Sequence, residues 1–90
     1  MIWQVIVFYV YILKCSDGKF YTGFSSDLKK RLTDHKSGNV ESTKNKKPLK
    51  LIYYEAYINK INALNREKFL KTTKGKSQLK KQIGILQNGV

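Results

Sequence analysis

The hardest constraint in this sequence is a single tight turn. Val5 to Lys14 is rich in β-branched and aromatic residues, and Lys19 to Phe24 repeats that character after Ser16-Asp17-Gly18. Two strand-forming runs around an Asp-Gly step specify a β-hairpin. Two loop lengths are open. A two-residue loop, Asp17-Gly18, pairs Ser16 with Lys19, sets Tyr11 against Phe24 and sends Tyr21 to the opposite face. A three-residue loop, with Gly18 left-handed as a bulge, pairs Cys15 with Lys19 and sets Tyr11 opposite Gly23. Tyr21 then shares the face of Tyr11, as its diagonal neighbour at about 7–8 Å between Cα atoms. Gly18 suits the left-handed position, and Gly23 leaves a gap beside Tyr11 where a ligand backbone has room to approach.

The remaining elements follow from caps and periodicity. Ser25-Ser26 before Asp27 starts a first helix that runs through Arg31 and Leu32 and stops at Ser37-Gly38. Asn39 to Pro48 has no apolar period and reads as a polar, basic loop. Leu49 to Tyr57 reads as a third strand and Lys60 to Lys71 as a second helix. Gly75 breaks that helix, Ser77 to Ile85 forms a third, and Gln87 to Val90 is a tail. The order strand, strand, helix, strand, helix, helix predicts an α+β domain, a three-stranded antiparallel sheet flanked by helices. With 90 residues there is room for one domain only, spanning 1–90, with a core over about 8–71 and a C-terminal helix and tail over 72–90. A domain of this size buries only about 60–65% of its unfolded surface, so the core is thin.

Charge narrows the partner. Lys and Arg number 18 against 6 Asp and Glu, a formal net charge of +12. An excess of that size points to a polyanion. Nucleic acid fits better than a membrane surface, because the basic residues do not lie on one strongly amphipathic helix. Binding of that kind weakens steeply with salt and discriminates little between sequences. The single cysteine, Cys15, has no partner for an internal disulfide, which fits a reducing compartment, and is expected to be a small packing residue. The apolar opening, Met1 to Leu13, lacks a basic start and is shorter than the roughly 20 residues a bilayer requires. A soluble, cytoplasmic protein is expected.

Five residues stand out chemically. Tyr11 and Tyr21 flank the turn. On the first helix Leu28, Leu32 and His35 share one side, with Arg31 one step round, so Arg31 and His35 lean toward the sheet. On the second helix Ala63, Leu64, Glu67 and Leu70 fall on one stripe, which places a carboxylate on the face turned to the sheet. A buried carboxylate needs a partner. For Glu67 that partner is either a salt bridge to Arg31 or a lysine, or a hard cation such as Mg²⁺ or Mn²⁺.

Tyr9-Val10-Tyr11, Tyr21-Thr22-Gly23, Arg31 within Asp27-Leu28-Lys29-Lys30-Arg31-Leu32, and Glu67 within Ala63-Leu64-Asn65-Arg66-Glu67 together resemble the GIY-YIG nuclease domain. The resemblance runs from about Phe8 to Lys71 and looks closest to the small stand-alone members. It is also similar to the nuclease module of the excinuclease of bacterial nucleotide-excision repair. Tyr9 and Val10 stand where the first motif has Gly and Ile, Thr22 replaces the second motif's Ile, and Phe24 stands where several members carry a lysine. No asparagine after the second helix matches the late one of larger members.

The resemblance implies a metal-dependent endonuclease that hydrolyses DNA phosphodiester bonds, structure-selective and linked to repair or recombination. Tyr11, Tyr21, Arg31 and His35 would be catalytic, and Glu67 would hold one Mg²⁺ or Mn²⁺ ion. Lys30, Lys44, Lys46, Lys47, Lys71, Lys74 and Lys76 are candidates for phosphate contact without base reading. The partner is DNA in preference to RNA. No small-molecule cofactor is implied, and the residues identify no protein partner. The competing reading is a non-catalytic DNA- or RNA-binding module that retains the nuclease fold.

Overall fold

The computed structural model describes residues 6–84. Among them the elements run β1 (Phe8–Lys14), β2 (Phe20–Ser25), α1 (Leu28–Lys36), β3 (Lys50–Tyr57), α2 (Lys60–Leu70) and α3 (Thr73–Gln82). The sheet order is β2-β1-β3, with β1 antiparallel to both neighbours. The expected α+β architecture and element order are therefore present. The start of the opening run and the tail expected over Gln87 to Val90 lie outside the described residues.

The turn takes the longer of the two loops. Cys15 N–H donates to the Lys19 carbonyl at 2.9 Å, and Gly18 is left-handed at φ +81°. The Asp17 carboxylate accepts from Lys19 N–H at 2.9 Å, which closes the loop from inside. Tyr11 is consequently opposite Gly23, and Leu13 opposite Tyr21. Alternation along the strands then puts Tyr9, Tyr11, Leu13, Tyr21 and Gly23 on one face, and Val10, Ile12, Thr22 and Phe24 on the other.

That second face carries the core. Val10 and Ile12 pack with Ala63 and Leu70 of α2 and Leu79 of α3, and Phe8, Phe20, Phe24 and Phe69 close the edges. Cys15 is buried, as a packing residue should be. Stacking of Phe8 on Phe24, with ring centroids 6.1 Å apart, gives Phe24 a place in this layer.

A charged network lies within the same layer. Glu55 on β3 is paired with Val10 across the strands, and its side chain is only 14% exposed. Arg66 of α2 meets it through two nitrogens, Nε to Oε1 at 3.0 Å and Nη2 to Oε2 at 3.0 Å. The Tyr53 and Tyr57 hydroxyls each donate to it at 2.5 Å. Gln82 of α3 completes the set, donating to the Tyr53 hydroxyl at 2.9 Å and accepting from Arg66 at 3.3 Å. Burial alone would raise the Glu55 pKa, but Arg66 and the two hydroxyls outweigh it and hold the carboxyl below its ordinary range.

Several local expectations are corrected. Asp27, rather than a serine, caps α1: its carboxylate accepts from Lys30 N–H at 3.1 Å, and Ser25 Oγ accepts from Asp27 N–H at 2.9 Å. Gly75 does not end a helix. It lies inside α3, where Thr72 caps the helix by accepting from Gly75 N–H at 3.0 Å. A side chain at 75 would collide with the Phe69 carbonyl, so the residue reflects a tight α2–α3 corner. The half-buried stripe of α2, between Ala63 and Leu70, takes in Arg66 as well as Glu67, with side chains 24% and 19% exposed, and Glu55 supplies the counter-charge that makes burial of Arg66 possible. Leu64 is turned out, at 38% exposed. Among the described residues, no helix is long and apolar enough to cross a membrane.

Candidate active site

The open face of the sheet carries the unusual chemistry. Tyr11 is fully buried, at 0% exposure, and its ring lies against the bare backbone of Gly23. A methyl group at Gly23 would overlap the Tyr11 phenol. The gap expected there for a ligand is thus filled by Tyr11 itself. Tyr21 sits beside it, with ring centroids 6.3 Å apart.

α1 lays His35 edge-on against both rings, with centroids 5.6 Å from Tyr11 and 5.2 Å from Tyr21. His35 Nε2 is 2.8 Å from the Tyr11 hydroxyl. His35 Nδ1 is 2.7 Å from Thr43 Oγ1. Burial, reinforced by the positive charge of Arg31, pushes the His35 pKa below its ordinary value, with Asp34 opposing weakly. The imidazole is therefore neutral at neutral pH.

Arg31, one turn before His35, faces both tyrosine hydroxyls. The Tyr11 hydroxyl holds the guanidinium more firmly protonated, and Tyr21 adds to that effect. The strict hydrogen-bond chain at the site runs through His35 rather than through Arg31. Burial pushes Tyr11 up to about 12. Arg31 pulls the other way, and the neighbouring Tyr21 and the Glu67 carboxylate reinforce the rise.

Glu67 thus acts on Tyr11 from α2. Its side chain is 19% exposed, and its Oε2 pairs with Lys71 Nζ at 3.2 Å, not with Arg31. The structure brings Tyr11, Tyr21, Arg31 and His35 together, with the Glu67 charge felt at Tyr11. Among the described residues, no group of three His, Cys, Asp or Glu side chains converges to hold a metal. One half-buried carboxylate that already attracts a cation fits an ion such as Mg²⁺, which takes one or two carboxylates and fills the rest of its shell with water and phosphate oxygens.

The candidate phosphate-contacting lysines are all exposed but differently engaged. Lys30 pairs with Asp34 at 3.5 Å and Lys44 with Glu41 at 3.0 Å. Lys47 Nζ donates to the Lys36 carbonyl at 3.3 Å, and the Lys46 carbonyl accepts from Ser16 N–H at 2.9 Å. Lys71 neutralises Glu67, while Lys74 and Lys76 stand on the exposed side of α3. Beside the site, an open trough between α1 and β3 has an apolar floor of Leu13, Leu32 and Leu51 and a rim with Lys36 and Lys47.

Thr43 is a site residue that the sequence pattern does not reveal. A charged segment such as 39–48 is expected to be wholly solvated, yet Val40 and Thr43 are buried, at 6% and 0% exposure. The one local signal is a β-branched pair, Val40 and Thr43, in an otherwise charged stretch.

A family model described as the GIY-YIG catalytic domain matches residues 7–82. The chain belongs to the GIY-YIG catalytic domain family. A UPF0213 protein of Staphylococcus saprophyticus is 41% identical over 73 residues, covering 80% of this chain and 89% of that one. A UPF0213 protein of Clostridium perfringens is 44% identical over 64 residues, covering 70% and 69%. The solution NMR structure of a UPF0213 protein from Bacillus halodurans superposes with a TM-score of 0.57 at 34% identity, covering 84% of both chains. Membership in the GIY-YIG family carries a nuclease-type hydrolase chemistry, a nucleic-acid substrate and, in general, a divalent metal.

Proposed function

We propose that this GIY-YIG domain, taken as one unit over 1–90, is a divalent-metal-dependent endonuclease that hydrolyses DNA phosphodiester bonds. The observation that carries the reading is the convergence of two tyrosine hydroxyls, a guanidinium and a buried neutral imidazole on one sheet face, with a lone carboxylate acting on them from α2. In-line attack on a phosphodiester adds negative charge to the phosphate oxygens. Arg31 is a permanently charged donor placed to receive that charge. Glu67 would hold one Mg²⁺ or Mn²⁺ ion, which supplies Lewis-acid stabilisation at the phosphate. Tyr11 would take a proton from water as it hands its own to His35, whose Nε2 lies 2.8 Å from its oxygen, with Tyr21 and Arg31 orienting it. Lys71, paired with Glu67 at 3.2 Å, would be free for phosphate contact were Glu67 to hold the ion, and the other exposed lysines hold the backbone without reading bases. The resemblance to the excinuclease module supports a preference for branched or interrupted DNA and a role in repair or recombination.

A second reading has its own support. Tyr11 raised to about 12 stays protonated at neutral pH and offers almost no phenolate as a base, as expected for a binding module that keeps the fold without turnover. One experiment separates the two. Plasmid, forked and gapped DNA are incubated with the protein in Mg²⁺, Mn²⁺ or chelator, with Glu67→Ala and Arg31→Ala in parallel. Metal-dependent cutting lost in both variants supports the nuclease. Absence of cutting by the parent under any metal supports the binding module.

A further inference from the structure

The hairpin end of the sheet carries a charge pattern that folding alone does not favour. Lys14, the last residue of β1, stands directly opposite Lys50, the first residue of β3. Cross-strand partners have Cβ atoms about 4.5–5.5 Å apart, and like charges in that position destabilise a sheet. Both side chains are exposed, and neither enters an ion pair among the described residues. The six acids of the chain are engaged elsewhere. Asp34, Glu41, Glu55 and Glu67 pair with Lys30, Lys44, Arg66 and Lys71. Asp17 and Asp27 accept from the backbone N–H groups of Lys19 and Lys30. Lysine on an edge strand guards against pairing with another chain, which accounts for Lys50. It does not account for Lys14, because β1 is the central strand and is paired on both sides.

The pair opens onto a path. Lys14 and Lys50 line a shallow cup of about 190 Å³ with Cys15, Ser16 and Pro48. Lys46 stands beside it, since its carbonyl accepts from Ser16 N–H at 2.9 Å. Alternation points Lys14 away from the Tyr11 face, but Lys14 is the last rung of the ladder and the cup wraps the end of the sheet. Pro48 lines both the cup and the trough on the Tyr11 side, where Lys36, Lys47 and His35 form the walls. Cup and trough thus make one surface from the hairpin end to the ring that meets Tyr11, with lysines along it. Lys14 is three residues from Tyr11 along β1, about 10 Å. That is well beyond one nucleotide step of about 3.4 Å, so a phosphate in the cup is not the one at Arg31.

We infer that the Lys14–Lys50 cup binds a backbone phosphate of the DNA away from the reacting one, and that the DNA backbone reaches it from the tyrosine face along the Lys36 and Lys47 side of the trough. A phosphate between the two ammonium groups relieves their repulsion and accepts charge-assisted hydrogen bonds from both. The contact fixes where the backbone lies and reads no base. It rests on the reading of the tyrosine face as a DNA site, and not on cleavage.

The test is the salt dependence of binding to a duplex oligonucleotide, followed by fluorescence anisotropy in chelator. Lys14→Gln with Lys50→Gln is compared with the parent and with Ile58→Glu with Ile61→Glu. The latter pair lies past the opposite end of β3, is 79% and 67% exposed, and lowers the net charge by the same amount. Loss of one phosphate contact reduces the log–log salt slope by about 0.9. The lysine variant is expected to show that reduction, and the isoleucine variant to keep the parent slope. Without DNA, the lysine variant is expected to melt at or above the parent temperature at low salt, because a repulsion has been removed. A lysine variant with the parent slope overturns the inference. So does an equal reduction in the isoleucine variant, which would make the effect one of overall charge. A lysine variant that melts below the parent at low salt also overturns it, by showing that the pair serves the fold. A parent that does not bind DNA overturns the cup and the DNA reading together. A parent that binds with the expected slopes but never cuts supports the cup and refutes the nuclease alone.

Discussion

Gly23→Ala perturbs the centre of the site by one methyl group. That methyl would come within 2.8 Å of Tyr11 Cε1 and closer still to Cζ and the hydroxyl. Carbon atoms in contact sit about 3.5–4.0 Å apart, so the ring must retreat by roughly 1 Å. The Tyr11 hydroxyl is 2.8 Å from His35 Nε2, and the same retreat takes it to the limit where little of a hydrogen bond remains. Tyr11 is 0% exposed, so the ring has no solvent-filled space to enter. Overpacking of this kind costs about 1–3 kcal/mol, and a buried nitrogen left unpaired about 1–3 kcal/mol. The two effects share one displacement, so about 2–4 kcal/mol is expected rather than their full sum. Small domains hold about 5–15 kcal/mol in total, and the corresponding fall in Tm is on the order of 10–20 °C. Urea unfolding followed by circular dichroism should show a lower midpoint at unchanged slope. On the nuclease reading, cleavage should fall by at least about 100-fold. A Gly23→Ala protein that melts within about 2 °C of the parent and cuts at the parent rate would refute the packing argument.

Glu67→Ala should abolish metal-dependent cleavage and leave DNA binding intact or tighter; because its partner Lys71 is 56% exposed, stability should move by only about 0.5 kcal/mol, read from the same unfolding curves. Arg31→Ala should also abolish cleavage, but with weaker DNA binding in a filter or anisotropy assay. Glu55→Gln should destabilise the fold by about 2–4 kcal/mol, since it leaves Arg66 half-buried without its counter-charge, and Glu55→Gln with Arg66→Met should cost less than the single change. Stability should fall as pH drops below about 6.5, because the unfolded chain binds a proton on His35 that burial and Arg31 make the folded chain refuse. His35→Gln should flatten that part of the curve, while the Glu55 contribution is lost lower, as pH falls through a carboxyl pKa held below 4.5.

Local chemistry made much of this legible. The left-handed Gly18 fixes the residue count of the turn, and the count fixes which tyrosines share a face. His35 and Arg31 follow from helical spacing once α1 is capped near Asp27. The misreadings share one cause: each depends on a partner remote in sequence. Gly75 looks like a breaker unless the Phe69 carbonyl beside it is known. Arg66 looks like a solvent-facing residue unless Glu55 is placed across from it on β3. That hidden pair put Leu64 on the apparent stripe of α2 and left Arg66 off it. Thr43 has no periodic context at all, and only the fold of its loop brings it under His35.

The two faces of the sheet are coupled through adjacent residues of α2. Arg66 is gripped by Glu55 through two nitrogens and tied to α3 by Gln82. Glu67, the next residue, acts on Tyr11. A bidentate contact resists rotation of the helix about its axis more strongly than apolar packing does, because sliding breaks two directional bonds at once. Side chains sit roughly 5–6 Å from a helix axis, so a 20° rotation of α2 would carry the Glu67 carboxylate by about 2 Å. Displacements of about 1 Å are enough to reduce a positioned reaction 100-fold. The Glu55–Arg66 pair therefore has a reason to be ionic beyond stability. Replacing both partners by apolar groups would keep the core filled but leave the rotation of α2 to packing alone. Such a protein should remain folded and bind DNA, and should lose cleavage on the nuclease reading.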